Sequence, residues 1–213
     1  MTHKARIGYE LAKRVCDICV AGVGVVLISP LLAAIAVLVG LDSPGPVLYK
    51  GRRTGMRGVP FNILKFRTMC VGADRAGTTT AKNDARVTRV GRFLRHWKLD
   101  ELPQLFNVLR GEMSLVGPRP EVEEHTRAYD EHELEILTVR PGITDYSSVH
   151  FIDLAAALGD ENPHDVFLTT VRAQKNALRL EYVRRRSLME DIRIIALTAS
   201  ALLRKMARHK PMG

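Results

Sequence analysis

Asp100 and Glu101 stand side by side, with Arg92, Arg95 and Lys98 just upstream and Pro118-Arg119-Pro120-Glu121 downstream. Adjacent acids at a helix start ordinarily cap free N–H groups and favour the helix dipole. Among so many cations they have a second use. Arginines and lysines can hold an anionic substrate, and a carboxylate beside them stays ionised near neutral pH. Such a carboxylate can attack phosphorus and form an acyl phosphate. Arg119, clamped between two prolines, suits bidentate contact with a phosphate. Lys65 and Arg67 alternate on one strand, so both can point to one face. Phosphate contact is the preferred reading for them, with a solvated strand face or acidic lipid as alternatives. Arg140 fits either a nucleotide contact or a turn brace. His96, His125, His150 and His164 lack metal-ligand spacing and read as surface residues. Cys16, Cys19 and Cys70 are an odd number that suits reduced thiols, and Cys16-Asp17-Ile18-Cys19 has no second pair to make a zinc site.

The elements that must carry these groups are legible in outline. Val47–Arg53 and Val59–Arg67 read as two short strands joined by a loop at Thr54–Gly58. Residues 71–86, with no apolar periodicity, read as a mobile loop. Gly91–Trp97 reads as a short basic helix. Leu102, Leu105, Phe106 and Leu109 recur at helical spacing, predicting a helix over 100–110 with Pro103 in its first turn and Gly111 after its end. Two helices are predicted beyond Val166, the second with an apolar stripe at Leu188, Ile192, Ile195, Ala199 and Leu202. From residue 170 on there are eleven Lys/Arg against three acids. A basic helix with an apolar stripe fits a membrane headgroup layer, and a core-facing helix fits the stripe equally.

From Ile18 to Leu41 no residue is charged, enough for the roughly 20 apolar positions a membrane helix needs. Ser29-Pro30 falls at its centre. Pro30 frees the carbonyl near Val26, which the Ser29 hydroxyl or water could satisfy, and permits a bend. Lys4, Arg6, Lys13 and Arg14 precede the run, and Lys50, Arg52, Arg53 and Arg57 follow it. Positive flanks favour the cytoplasmic side, so a re-entrant helical hairpin with both ends in the cytoplasm is predicted. A one-pass helix and a cleaved signal peptide at Ala34-Ile35-Ala36 compete, the latter weakened by apolar residues continuing to Leu41.

A net charge of +9 and a pI near 9.8 call for an anionic partner. Aromatics are few and not interleaved with bases, so no nucleic-acid platform is expected. A basic membrane scaffold that gathers anionic lipid or nucleic acid would explain charge and apolar run, but leaves Asp100-Glu101 and Pro118-Arg119-Pro120 without a purpose.

Asp42-Ser43-Pro44-Gly45-Pro46-Val47, Lys65-Phe66-Arg67-Thr68-Met69, the run Leu99–Glu121 and Arg140-Pro141-Gly142-Ile143-Thr144 resemble the bacterial sugar transferases, in particular the small monotopic phosphoglycosyl transferases. The resemblance spans about residues 10–150, including Ser29-Pro30. It implies a single sugar transferase domain over about 10–205, of the α+β class and mainly helical. Its parts are an N-terminal arm and re-entrant membrane helix (1–41), a cytoplasmic catalytic core with a small β-hairpin (42–160), and a basic amphipathic region of interfacial helices (161–213). It implies transfer of a sugar 1-phosphate from a UDP-sugar to polyprenyl (undecaprenyl) phosphate with release of UMP. Asp100 would be the nucleophile of a covalent, ping-pong reaction and a ligand of Mg²⁺, with Glu101 beside it. Arg95, Arg119, Lys65, Arg67 and Arg140 would bind substrate. The setting implied is the cytoplasmic face of a bacterial inner membrane, among its phospholipids; whether a homodimer forms is left open. After Thr144 the chain departs from the common pattern, reading Asp145-Tyr146-Ser147-Ser148-Val149-His150-Phe151. That stretch is expected to face the sugar, so the hexose is left undefined.

Overall fold

The computed structural model describes residues 3–73, 84–154, 158 and 163–208. Most of the 71–86 loop therefore lies outside the described residues. A single helix, α1 (His3–Asp42), runs through Ser29-Pro30. The proline removes one donor, and the Ser29 hydroxyl donates to the Val26 carbonyl at 2.8 Å, supplying the missing partner. α1 is long and apolar enough to cross a membrane. Its outer face is bare: Val23, Val26, Leu27 and Leu41 are exposed.

The inner face of α1 seats two core clusters. Ala21 packs with Phe61, Ile63, Val108 and Met113. Fourteen residues on, Ile35 and Val39 pack with Phe66 and Leu94. Phe61, Ile63 and Phe66 belong to β2 (Pro60–Phe66), which pairs with β1 (Leu48–Thr54) in an antiparallel hairpin running from Leu48↔Phe66 to Thr54↔Pro60. α2 (Arg89–His96) follows, capped by the Thr88 hydroxyl.

The helix predicted over 100–110 is split. Leu99–Glu101 form a 3₁₀ turn, and α3 (Gln104–Arg110) starts only after Pro103. A proline lacks the N–H that a continuous helix would use, so the acids stand outside α3 rather than capping it. Gly111 ends α3 at φ 84, the left-handed conformation that favours glycine.

β3 (Ser114–Val116) and β4 (Gly142–Thr144) form a parallel pair that sequence reading missed, because three-residue strands carry no period. Between them lies α4 (Glu123–Arg127), and after them α5 (Tyr146–His150). The C-terminal part holds α6 (Pro163–Val166), a π turn (Phe167–Val171), α7 (Arg172–Arg185) and α8 (Leu188–Arg208). α7, expected as an interfacial helix, buries one face in the protein through Lys175, Asn176, Arg179, Leu180, Tyr182 and Val183. In α8 the stripe residues Leu188, Ile192 and Ile195 are exposed, while Glu190, Asp191 and Ile194 face inward. Asp191 receives Lys13 at 2.7 Å and Tyr182 at 2.8 Å, tying α8 to α1 and α7.

Candidate active site

Lys98 adopts φ 57, a left-handed conformation costing a side-chain-bearing residue about 1 kcal/mol. The reversal turns the chain out of α2 into the 3₁₀ turn and brings Asp100 into the interior. Asp100 is 6% exposed, and its Oδ1 is buried with no hydrogen-bond partner. Glu101, the next residue, is paired through one of its oxygens. Lys65 of β2 donates to its Oε1 at 2.9 Å, and Arg119 pairs with the same oxygen.

These surroundings push the two carboxyls apart. Burial raises the Asp100 pKa, against the pull of Lys65. Burial would raise Glu101 too, but Arg119 and Lys65 together hold it well below the usual range. Lys65, Lys98 and Arg95 favour the Asp100 carboxylate as expected, but burial opposes them, whereas on Glu101 the cations prevail. The two adjacent carboxylates are thus driven in opposite directions by their surroundings.

The other cations separate by role. Arg95, on α2, donates Nε to Thr68 Oγ1 at 2.8 Å; burial lowers its pKa and Asp100 opposes that shift. Arg119 is fixed at three points: its N–H donates to Asp145 Oδ2 at 3.1 Å, Nη1 donates to the Ile143 carbonyl at 2.9 Å, and Nη2 meets Glu101. Arg67 is buried and donates to the carbonyls of Val39 and Ser43 at 3.1 and 2.5 Å, closing the C-terminal end of α1. Its Nε and Nη1 are buried without partners. Arg140 donates to the Gly111 carbonyl at 3.1 Å, the bracing contact sequence reading allowed for it. Lys65, Arg95 and Arg119 gather around Asp100-Glu101; Arg67 and Arg140 bond main-chain carbonyls elsewhere.

A second charged layer lies behind Arg119. Glu121 pairs with Arg179 and, at 3.4 Å, with Lys175, and His125 approaches it at 3.3 Å. His125 is buried and stacked on Phe167, not a surface residue as expected. Arg179 is 1% exposed and also comes within 4.0 Å of Asp145. Burial presses the Lys175 pKa down to about 8, partly offset by Glu121. Asp145 is wholly buried, caps α5 through the Ser148 N–H at 2.7 Å, and holds the Arg119 main chain. The stretch expected to face the sugar thus also supports the arginine loop through Asp145. Its Asp-x-x-Ser capping pattern was a usable signal. Gln104, one helical turn past Asp100, is wholly buried with both amide atoms unpartnered, and sequence reading passed over it.

Among the described residues no group of three or more His, Cys, Asp or Glu could cage a metal. Mg²⁺ does not need one, because it commonly takes one or two carboxylates together with substrate phosphates. The unpartnered Asp100 oxygen fits that mode.

The bacterial sugar transferase family model matches residues 8–205. The chain belongs to the bacterial sugar transferase family. Among its curated family relatives is the UDP-glucose:undecaprenyl-phosphate glucose-1-phosphate transferase of Xanthomonas campestris pv. campestris, 42% identical over 203 residues that cover 92% of this chain and 39% of the relative. The protein of the same description from Caulobacter vibrioides is 40% identical over 202 residues, 93% of this chain and 72% of that protein. The UDP-N-acetylgalactosamine-undecaprenyl-phosphate N-acetylgalactosaminephosphotransferase of Aeromonas hydrophila is 44% identical over 146 residues, 66% of this chain and 34% of that protein. The chain thus spans about two fifths of the Xanthomonas relative. The family relatives are named for different sugars, in keeping with the undefined hexose.

Proposed function

We propose that this sugar transferase moves a sugar 1-phosphate from a UDP-sugar to membrane undecaprenyl phosphate and releases UMP. The observation that carries the reading is a buried Asp100 with one unpartnered oxygen, beside a Glu101 whose Oε1 takes both Lys65 and Arg119. The Asp100 oxygen attacks the β-phosphorus of the UDP-sugar. The bond between that phosphorus and the bridging oxygen breaks, and UMP leaves with the bridging electrons. The polyprenyl phosphate oxygen then attacks the same phosphorus, the aspartyl–phosphorus bond breaks, and Asp100 is regenerated as a carboxylate. Two substrates of unlike solubility so use one site in turn. Mg²⁺, bound by Asp100 and the substrate phosphates, would neutralise charge on the equatorial oxygens. Arg95 and Arg119 face the same charge with fixed guanidinium groups.

The site sits at the cytoplasmic face of the inner membrane, and the packing of α1 supports this. A straight helix separates Asp17 from Val39 by about 33 Å, roughly the thickness of a bilayer core. Yet Asp17 accepts the Leu115 N–H at 3.1 Å and the Val39 carbonyl accepts Arg67, both from the same body of the protein. A one-pass span would carry one of these ends across. A re-entrant or shallow insertion, with exposed α8 residues in the headgroups, keeps both on one side.

The test is UMP release. Membranes or detergent-purified protein presented with a panel of UDP-sugars and undecaprenyl phosphate should release UMP from one or more donors. Asp100→Asn should release none while staying membrane-bound. Full activity in that variant removes the nucleophile.

A further inference from the structure

Leu94, buried on α2, packs with Ile35 and Val39 of α1, both inside the uncharged run, and Val90 joins the same cluster. Asp42, the last residue of α1, accepts the Val90 N–H at 3.0 Å. Helices in contact lie about 8–10 Å apart. The headgroup layer on one side of a bilayer is about 5–8 Å thick. Whatever lipid surface α1 enters, α2 therefore stands in or against its polar layer.

α2 divides around Leu94. Successive helical residues turn by about 100°, so Phe93 and Arg95 leave Leu94 on opposite flanks. Arg95 donates to Thr68 and feels the Asp100 charge. On the other flank Phe93 is 56% exposed, the one exposed side chain among the six phenylalanines. Trp97, one turn on, tilts against it with ring centroids 6.2 Å apart. Arg89 and Arg92 are exposed beside them, and among the described residues neither forms an ion pair. From Val87 to Leu99 there are four Lys/Arg and no acid. A phenylalanine held in water forgoes about 2 kcal/mol of burial, and among the described residues nothing covers this one.

We propose that the Phe93–Trp97 flank of α2 docks into the headgroup layer of an anionic bilayer, with Arg89 and Arg92 on lipid phosphates. Aromatic rings favour that layer, and cations beside it are drawn to anionic lipid. One short helix then carries lipid on one flank and Arg95 on the other, which fixes the height of Asp100 above the acyl chains. The surface rests on the membrane placement of α1 in the transferase reading. Continuity with α1 singles out lipid over a soluble anionic partner.

Trp97 is the only tryptophan, so the native chain reports on this flank. Wild type, Phe93→Ser, and a double variant of Arg89→Gln with Arg92→Gln are compared in vesicles of phosphatidylcholine and phosphatidylglycerol, with plain or brominated acyl chains. Brominated chains should quench wild-type emission, more strongly as the phosphatidylglycerol fraction rises. Phe93→Ser should lose most of the quenching, and the double variant its dependence on phosphatidylglycerol. In turnover, Phe93→Ser should lower kcat/KM for undecaprenyl phosphate about tenfold, the scale of one buried phenylalanine, with that for the UDP-sugar unchanged. Quenching by aqueous iodide but not by brominated lipid leaves the flank to a soluble partner and overturns the surface. Equal bromolipid quenching of wild type and Phe93→Ser overturns it too, and an unchanged kcat/KM for undecaprenyl phosphate overturns its link to the site. If wild type turns over no UDP-sugar, the transferase reading fails, while quenching still decides the surface.

Discussion

Asp100 is held in a setting that opposes its own ionisation, and the consequences can be measured. Its raised pKa means that folding shifts this carboxyl toward the protonated acid relative to the unfolded chain. The stability this provides is complete below the ordinary aspartate pKa and is lost as pH rises through the elevated value, so at neutral pH the carboxylate of the proposed nucleophile is kept at a cost. Asp100→Asn should therefore abolish UMP release yet raise the melting midpoint, by about 3 °C for each kcal/mol recovered in a chain of this size. In wild type the pre-steady-state UMP burst should climb with pH through the same elevated pKa, since only the carboxylate attacks. A burst flat down to pH 4 would contradict it. Glu101 runs the other way. Its lowered pKa contributes stability above the ordinary glutamate value, lost as pH falls through the depressed one. Glu101→Gln removes the carboxylate that pairs Lys65 and Arg119 and should destabilise by about 3 kcal/mol, read from denaturant unfolding.

The arginine loop is an element-scale device, built from the parallel β3–β4 pair rather than from prolines alone. The Gly142 N–H donates to the Pro118 carbonyl at 3.0 Å and the Gly117 N–H to the Thr144 carbonyl at 3.0 Å. Backbones approach so closely that a Cβ on Gly142 would lie 2.1 Å from the Gly117 nitrogen. Main chain cannot swing aside as a side-chain tip can. Gly142→Ala should cost about 3 kcal/mol and displace Arg119, lowering kcat along with the melting midpoint. An unchanged kcat would show that β3–β4 does not set the position of Arg119. Behind this loop, Arg179 reaches Glu121 and approaches Asp145 from α7, so a helix far along the chain braces the site.

At the scale of the molecule, α1 is the element that would join the proposed chemistry to lipid. One face supplies Ala21, Ile35 and Val39 to the catalytic core, and the other offers Val23, Val26 and Leu27 outward. Cysteines placed at Lys4 and Arg57 should both react only with a cytoplasmic maleimide; labelling from opposite sides would refute the shared-side topology. High salt should leave the protein in the membrane fraction, because hydrocarbon insertion is unscreened while headgroup attraction fades within a Debye length of about 10 Å. Release at high salt would favour the scaffold reading.

Local signals made several features legible from residues alone. The apolar run, its Ser29-Pro30 partner, the β-hairpin and the acid pair depend on neighbours within a few positions, where composition and spacing speak directly. The clustering of Lys65, Arg95 and Arg119 about the acids was also approachable, through residue type. What sequence could not provide was the division between Asp100 and Glu101, since both are acids among the same cations. Only the folded chain decides it, by giving Glu101 the contacts of Arg119 and Lys65 and leaving Asp100 buried with an open oxygen. Pairings across 18 and 36 positions carry no periodic signature. For the same reason Arg67, alternating with Lys65 on one strand, turned to α1 carbonyls, and α7 went inside. Burial and counter-ion choice are properties of three-dimensional neighbours, and electrostatic energy depends on those distances rather than on order along the chain.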